Sequence, residues 1–252
     1  MQTWKTRDIP DRWLSGYNSI RKLNPDWEYT LMTDDDNLQF VKDHFPQYVS
    51  GYNALWYPIM RADAIRYMYL YLYGGIYIDL DFICHKSFNE LLKSVDTSND
   101  IFLRRSFIGP SNDFLMSKPY EKFWLECLED IFSPLNCGSD GRWACMLEKH
   151  QCILDWTGPG LIKRRLSRTR LPVKWQYLPE GLFPSCDLCK MCNVNDTQVG
   201  GSIASFLEGN SWVDNDVKAI RNIVCNYHIN PYNGWIAVML LIVIVFLVII
   251  LR

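Results

Sequence analysis

The stretch Tyr73-Gly74-Gly75-Ile76-Tyr77-Ile78-Asp79-Leu80-Asp81 reads as the end of a helix, a glycine turn, a β-branched and aromatic strand, and two acids in close succession. Upstream, Pro58 sits where a first helical turn tolerates proline, and helix-compatible residues run from there to Tyr73. Gly74 can close that helix with a left-handed cap because it has no Cβ to oppose positive φ. In a strand, residues two apart share a face, so Asp79 and Asp81 are expected to present two carboxylates on one side while Leu80 points into the sheet. Neighbouring carboxylates repel unless positive charge lies beside them. Hard cations such as Mn²⁺ or Mg²⁺ take oxygen ligands and keep positions open for phosphates, which makes the pair a candidate metal site. A metal there would stabilise the negative charge that develops on a departing diphosphate. Gly75 is a place where backbone can approach such a ligand closely.

On the preceding helix, Asp63 and Arg66 are three residues apart and so share a face. A carboxylate suits sugar or ribose hydroxyls, and a guanidinium suits a diphosphate or sugar oxygens. Further out, Ile9-Pro10-Asp11 leads into a predicted helix ending near Lys22, and Trp27 to Met32 reads as a strand. Thr33-Asp34-Asp35-Asp36 is a cap for the helix after it. Ile101-Phe102-Leu103 is a further strand, and Tyr120 to Phe132 is helical with Phe123, Trp124, Cys127, Leu128 and Ile131 on one side. This alternation implies an α/β layered domain over residues 1–230.

The chain has 252 residues, 48% of them apolar and 21% charged, enough to bury a core. Trp235 to Leu251 is an unbroken apolar run that would form a helix about 25 Å long, and it is expected to span a membrane. Met1 to Thr6 has neither the basic start nor the apolar stretch of a signal peptide, so none is expected there. A net charge of −2 argues against nucleic-acid binding. The one basic cluster, Lys163, Arg164, Arg165, Arg168 and Arg170, reads as a solvated helix face, with contact to substrate phosphates or anionic lipid as the second reading. Nine cysteines and the Asn195-Asp196-Thr197 acceptor pattern suit an oxidising lumen. Cys186, Cys189 and Cys192 have the spacing of zinc ligands but lack a nearby fourth, so disulfides are expected. The haloacid-dehalogenase nucleophile motif also places aspartates after a strand, but it wants Thr or Val where Ile83 stands.

The segments Gln2 to Thr6, Ile9-Pro10, Trp13, Asn24 to Tyr29, Thr33-Asp34, Arg61 to Tyr67 and Tyr73 to Asp81 together carry a family likeness over roughly the first 95 residues. The chain resembles the DXD-motif glycosyltransferases, which include fungal initiation-specific mannosyltransferases and mannosyl inositolphosphoceramide synthases, with the large clostridial toxins as distant relatives. Thr157-Gly158-Pro159 and Ser211-Trp212 are later landmarks. The resemblance implies a GT-A-like nucleotide-sugar-binding fold and sugar transfer with retention at the anomeric carbon. It implies that Trp4 stacks on the nucleotide base, that Asp63 and Arg66 hold the donor sugar, and that Asp79 and Asp81 serve ribose, sugar and metal. Tyr77 is expected to touch the donor as well. It favours GDP-mannose over a UDP-sugar, a lipid or glycan acceptor, and a single-pass Golgi or ER membrane protein with a lumenal catalytic domain.

Two departures stand out. Relatives tend to carry a histidine where Met1 stands, and a further histidine near the Ser-Trp pair that completes the metal shell. The segment Ser202 to Val213 holds none, leaving Glu208, Asn210 or Asp214 as oxygen substitutes. A non-catalytic protein that keeps the fold is therefore the alternative reading.

Overall fold

The computed structural model describes residues 1–106, 109–133, 149–169, 172–183 and 201–207. Its contacts gather Met1–Ser185 and Cys192–Gly209 into one compact unit, and Cys186–Met191 with Asn210–Arg252 into another. Every described residue belongs to the first. The expected span at 235–251, the Cys186 to Cys192 stretch and Asn195 lie outside the described residues. Among those described, no helix is long and apolar enough to cross a membrane.

The chain opens with β1 (Gln2–Thr3), which pairs in parallel with β2 (Leu31–Met32). On its other side, the Met1 ammonium donates to the Ile76 carbonyl at 2.7 Å and the Met1 carbonyl accepts from the Ile78 N–H at 3.2 Å. Between them runs α1 (Asp11–Leu23), which buries Trp13, Gly16 and Ile20. The strand expected over Trp27 to Met32 shrinks to its last two residues, because Asn24 to Trp27 is taken up by a turn in which the Trp27 N–H reaches the Asn24 carbonyl. Thr33 caps α2 (Asp34–His44) in a reciprocal box with Asp36. The short α3 (Val49–Ala54) leads into α4 (Pro58–Tyr73), whose bounds are those the sequence predicts.

Most faces of α4 are buried, since it packs against both α6 (Lys122–Phe132) and the main sheet. Tyr67 stacks on Trp124 with ring centres 5.4 Å apart. Gly74 ends the helix at φ +65°, and a Cβ there would lie 2.6 Å from the Pro119 nitrogen and 2.8 Å from the Ser117 carbonyl oxygen. Its ψ of −149° makes this a reversal rather than the left-handed cap expected.

The strand that follows, β3 (Gly75–Ile78), is an edge of the main sheet, ordered β3, β6 (Gly109–Ser117), β5 (Ile101–Ser106) and β7 (Trp175–Tyr177). Only the β5–β7 pair is parallel. A small antiparallel pair joins β4 (Phe82–Cys84) to β8 (Ala204–Phe206), and α5 (Phe88–Lys93) follows β4. Ile76, Ile78, Phe82, Phe114 and Met116 unite these layers in one apolar cluster. Two further helices, α7 (Lys149–Trp156) and α8 (Pro159–Arg168), form a hairpin whose connecting residue, Thr157, is fully buried. The basic face of α8 is partly occupied: Arg165 forks onto Asp130, and Arg164 donates to the Asp155 carbonyl. Cys152 is disulfide-bonded, while Cys84 and Cys127 are buried free thiols.

Candidate functional site

The two acids do not lie in the strand as expected. Strand β3 stops at Ile78, and Asp79, Leu80 and Asp81 form the turn into β4. The Asp79 N–H still bonds the Asp113 carbonyl at 2.9 Å, in register with the β3–β6 pairing, and the chain departs only beyond it, with Leu80 buried to 5% exposure. Two distant segments then fix the turn. The Gln2 amide donates to the Asp79 carbonyl at 3.0 Å, and the Leu207 N–H to the Asp81 carbonyl at 2.6 Å.

Beneath the turn lies a buried charge pair from α4. The Arg66 guanidinium meets Asp63 Oδ1 at 2.9 Å and approaches Asp79 Oδ1 at 3.6 Å. It also packs over the Tyr77 ring at 4.4 Å and donates to the Asn112 and Ala62 carbonyls. Burial works against the Arg66 charge, but Tyr77, Asp63 and Asp79 hold its pKa above the ordinary value. Asp63 is itself clamped: the Asn112 amide donates to Oδ1 at 3.0 Å and the Thr157 hydroxyl to Oδ2 at 2.7 Å. Burial pushes the Asp63 carboxyl upward, although Arg66, Thr157 and Asn112 all favour its ionised form.

A second pair flanks the turn from the sheet. Arg104 on β5 grips Asp113 on β6 with two bonds of 2.8 and 2.7 Å and stacks over Phe206 of β8 at 4.9 Å. Burial opposes ionisation of Asp113, yet Arg104 and Ser111 outweigh it and keep its pKa below the usual carboxylate range.

Four carboxylates thus face two guanidiniums, and the deficit of positive charge falls on the turn. Removal from water pushes Asp79 up to about 6; Arg66 opposes that rise and Asp113 adds to it. Its side chain keeps 32% of its surface open to solvent and accepts a short bond from the Tyr77 hydroxyl. Asp81 is driven further upward by burial, then by Asp79 and Asp113. Its Oδ1 is buried without any hydrogen-bond partner. A buried, partnerless carboxylate oxygen inside an excess of two negative charges is the environment that a hard divalent cation relieves. Among the described residues, no group of three or more His, Cys, Asp or Glu side chains is placed to hold a metal ion. The proposed substitutes Glu208, Asn210 and Asp214 lie outside the described residues.

The structure therefore brings Asp63, Arg66, Tyr77, Asp79 and Asp81 together. Trp4 directly follows β1, its N–H on the Met32 carbonyl at 3.0 Å and its half-buried ring T-stacked on Trp13 at 4.9 Å, and no contact joins it to the acidic cluster among the described residues. Gly75 is not part of the cluster. It opens β3, about 13 Å along the strand from the acids, and borders a separate cavity of about 210 Å³ shared with Trp27, Tyr29 and Tyr73. Sequence reasoning missed Arg104, Asn112 and Asp113, and marked Thr157 only as a landmark of the family likeness, without a role. The one signal for Asn112 and Asp113 was their position directly before the apolar run Phe114 to Met116, a polar pair where a buried strand begins.

This turn coincides with a known motif region. Residues 10–97 match the family described as the glycosyltransferase sugar-binding region containing the DXD motif, so the chain carries a DXD glycosyltransferase region. Its relatives are named mannosyltransferases and mannosyl-lipid synthases. It is 37% identical to a mannosyl phosphorylinositol ceramide synthase of Saccharomyces cerevisiae over 68% of this chain and 42% of that protein. With an inositol phosphoceramide mannosyltransferase of Schizosaccharomyces pombe the identity is 32%, over 87% of this chain and 59% of the other. An initiation-specific alpha-1,6-mannosyltransferase of Saccharomyces cerevisiae is 29% identical over 38% of this chain and 20% of its own. The chain thus spans about half the length of these first two curated relatives. Among solved structures, the PaToxG glycosyltransferase aligns with 66% of each chain at 18% identity and a TM-score of 0.48.

Proposed function

We propose that the protein is a retaining, metal-dependent glycosyltransferase of GT-A-like fold that moves a hexose, mannose in the favoured case, from a nucleotide sugar to a lipid or glycan acceptor. The observation that carries the reading is the partnerless Oδ1 of Asp81 in a turn already over-supplied with carboxylate. Asp79 and Asp81 would hold a Mn²⁺ or Mg²⁺ ion, which would supply positive charge against a departing diphosphate. Arg66, fixed by Asp63 and Asn112, places a permanent positive charge beside Asp79. That charge favours an ionised Asp79 and adds attraction for donor oxygens. Trp4 serves as the platform for the nucleotide base.

The relatives' names support mannose as the sugar moved and a lipid or glycan as acceptor; GDP-mannose is the favoured donor, with a UDP-sugar as the other option. The apolar run Trp235 to Leu251 supports a membrane anchor beyond a catalytic domain ending near residue 230. The disulfide at Cys152 supports a Golgi or ER lumenal location for that domain.

The test is to screen nucleotide sugars for Mn²⁺-dependent hydrolysis and transfer, with Asp79→Asn and Asp81→Asn alongside wild type. Each substitution is expected to reduce turnover at least about 100-fold. Unchanged transfer in both variants would refute the assignment. Nucleotide diphosphate binding without turnover on any donor would favour a non-catalytic relative.

A further inference from the structure

Thr157 comes from the far side of the chain yet ends against the heart of the site. Its side chain is fully buried at the junction of α7 and α8, and its hydroxyl lies 2.7 Å from Asp63 Oδ2 and 3.4 Å from the Ile153 carbonyl. A hydroxyl has one proton to give, and the shorter bond to a charged acceptor takes it. The backbone of Thr157 is held just as firmly. Tyr67, one helical turn beyond Asp63 on α4, donates its buried hydroxyl to the Thr157 carbonyl at 2.7 Å, and the Thr157 N–H reaches the Ile153 carbonyl at 3.1 Å. One helix face thus grips the same residue at both its carbonyl and its side chain.

The carboxylate of Asp63 offers about four acceptor positions. Arg66, Asn112 and Thr157 fill three of them, and Thr157 is the one that engages Oδ2. With Oδ1 tied to Arg66 and Asn112, the bond to Oδ2 fixes the rotation of the carboxylate plane. Arg66 takes its own position from that plane and extends to Asp79.

We propose that Thr157 is a positioning residue of the donor site: its hydroxyl orients Asp63, and through Asp63 the Arg66 guanidinium beside Asp79. This rests on the donor-site reading given above. The role belongs to the hydroxyl and not to the side-chain volume, so Thr157→Val and Thr157→Ser must separate. The valine variant keeps the shape and loses the donor; the serine variant keeps the donor and loses a methyl group.

Three measurements on the full chain test this. With the best nucleotide sugar from the donor screen, Thr157→Val is expected to lose about tenfold or more in kcat/KM, carried by kcat, while Thr157→Ser stays within about threefold. The affinity for the nucleoside diphosphate with Mn²⁺ is expected to weaken in Thr157→Val and to stay at the wild-type value in Thr157→Ser, because the clamp acts through Arg66 on Asp79. A thermal-unfolding cycle of Thr157→Val, Asp63→Asn and the double variant is expected to show coupling, since each single change breaks the same bond. Equal activity of Thr157→Val and wild type would overturn the proposal, as would losses in both variants that merely track their melting temperatures. Absence of coupling in the cycle would also overturn it. If wild type turns over no nucleotide sugar, the donor-site reading falls on that result alone, and the unfolding cycle still decides whether Thr157 orients Asp63.

Discussion

Asp79 and Asp81 show what a short acidic motif demands of its surroundings. Each is pushed above the usual carboxylate range, Asp79 to about 6, because burial and neighbouring acids outweigh Arg66. The sign follows directly. A carboxyl whose folded pKa is raised binds more protons in the folded than in the unfolded chain, so metal-free stability falls as pH rises from about 4 toward 6. Cation binding requires those protons to leave, so it has the opposite dependence. Calorimetric titration with Mn²⁺ is expected to show affinity intact at pH 7.5 and at least about tenfold weaker at pH 5.5, with proton release growing as pH falls. A flat profile across that range would contradict the assigned environment. Little of this was legible in the motif alone. The spacing announced two carboxylates, but the groups that shift them, Asp113 and Arg104, come from strands whose polar residues looked unremarkable in sequence.

The helix α4, Gly74 and strand β3 form the element that sets the site, and here sequence and structure agree closely. Pro58 at the first turn and glycine after Tyr73 fixed both helix ends, since these residues act through local backbone geometry. The two glycines, however, do different work. Gly74 sits at φ +65° with Pro119 and Ser117 in the space a Cβ would need, whereas Gly75, at φ +84°, has nothing within 4 Å. Gly74→Ala is therefore expected to destabilise by about 3 kcal/mol, combining backbone strain with a steric clash, and Gly75→Ala by only about 1 kcal/mol. Urea unfolding of the two variants checks the ordering. The placement of the acids went the other way. Alternation predicted a strand through Asp81, but pairing with β6 reaches only to the Asp79 N–H, and beyond it the Gln2 amide and the Leu207 N–H hold the Asp79 and Asp81 carbonyls in a turn. These partners come from distant segments, and no local pattern encodes them. The same holds for Thr157, which meets Asp63 across 94 residues of chain.

For the molecule as a whole, the disulfide at Cys152, the Asn195 acceptor pattern and the apolar run at Trp235 to Leu251 argue for a domain facing an oxidising lumen from a membrane anchor. An expressed full chain is then expected to lose mobility-retarding glycan on treatment with an N-glycan-cleaving enzyme, and Asn195→Gln to abolish that shift. An unshifted wild-type band that also stays carbonate-extractable would remove the anchored lumenal model. This proposal rests on composition and local pattern, because membrane spans and compartments leave marks that need no folding to detect.

The carbonyls of Asp79 and Asp81 are held by Gln2 near the start of the chain and by Leu207 well past its middle. Seen from the ribosome, this sets an order of events. The acidic motif emerges early, beside Gln2 and the helix that will support it, but its second brace is translated only after more than a hundred further residues. Until Leu207 has left the exit tunnel and β8 has paired with β4, the turn lacks one of its two fastenings. A nascent chain stalled before that point would carry the complete motif without a complete cradle for it, so the site comes into being late in synthesis.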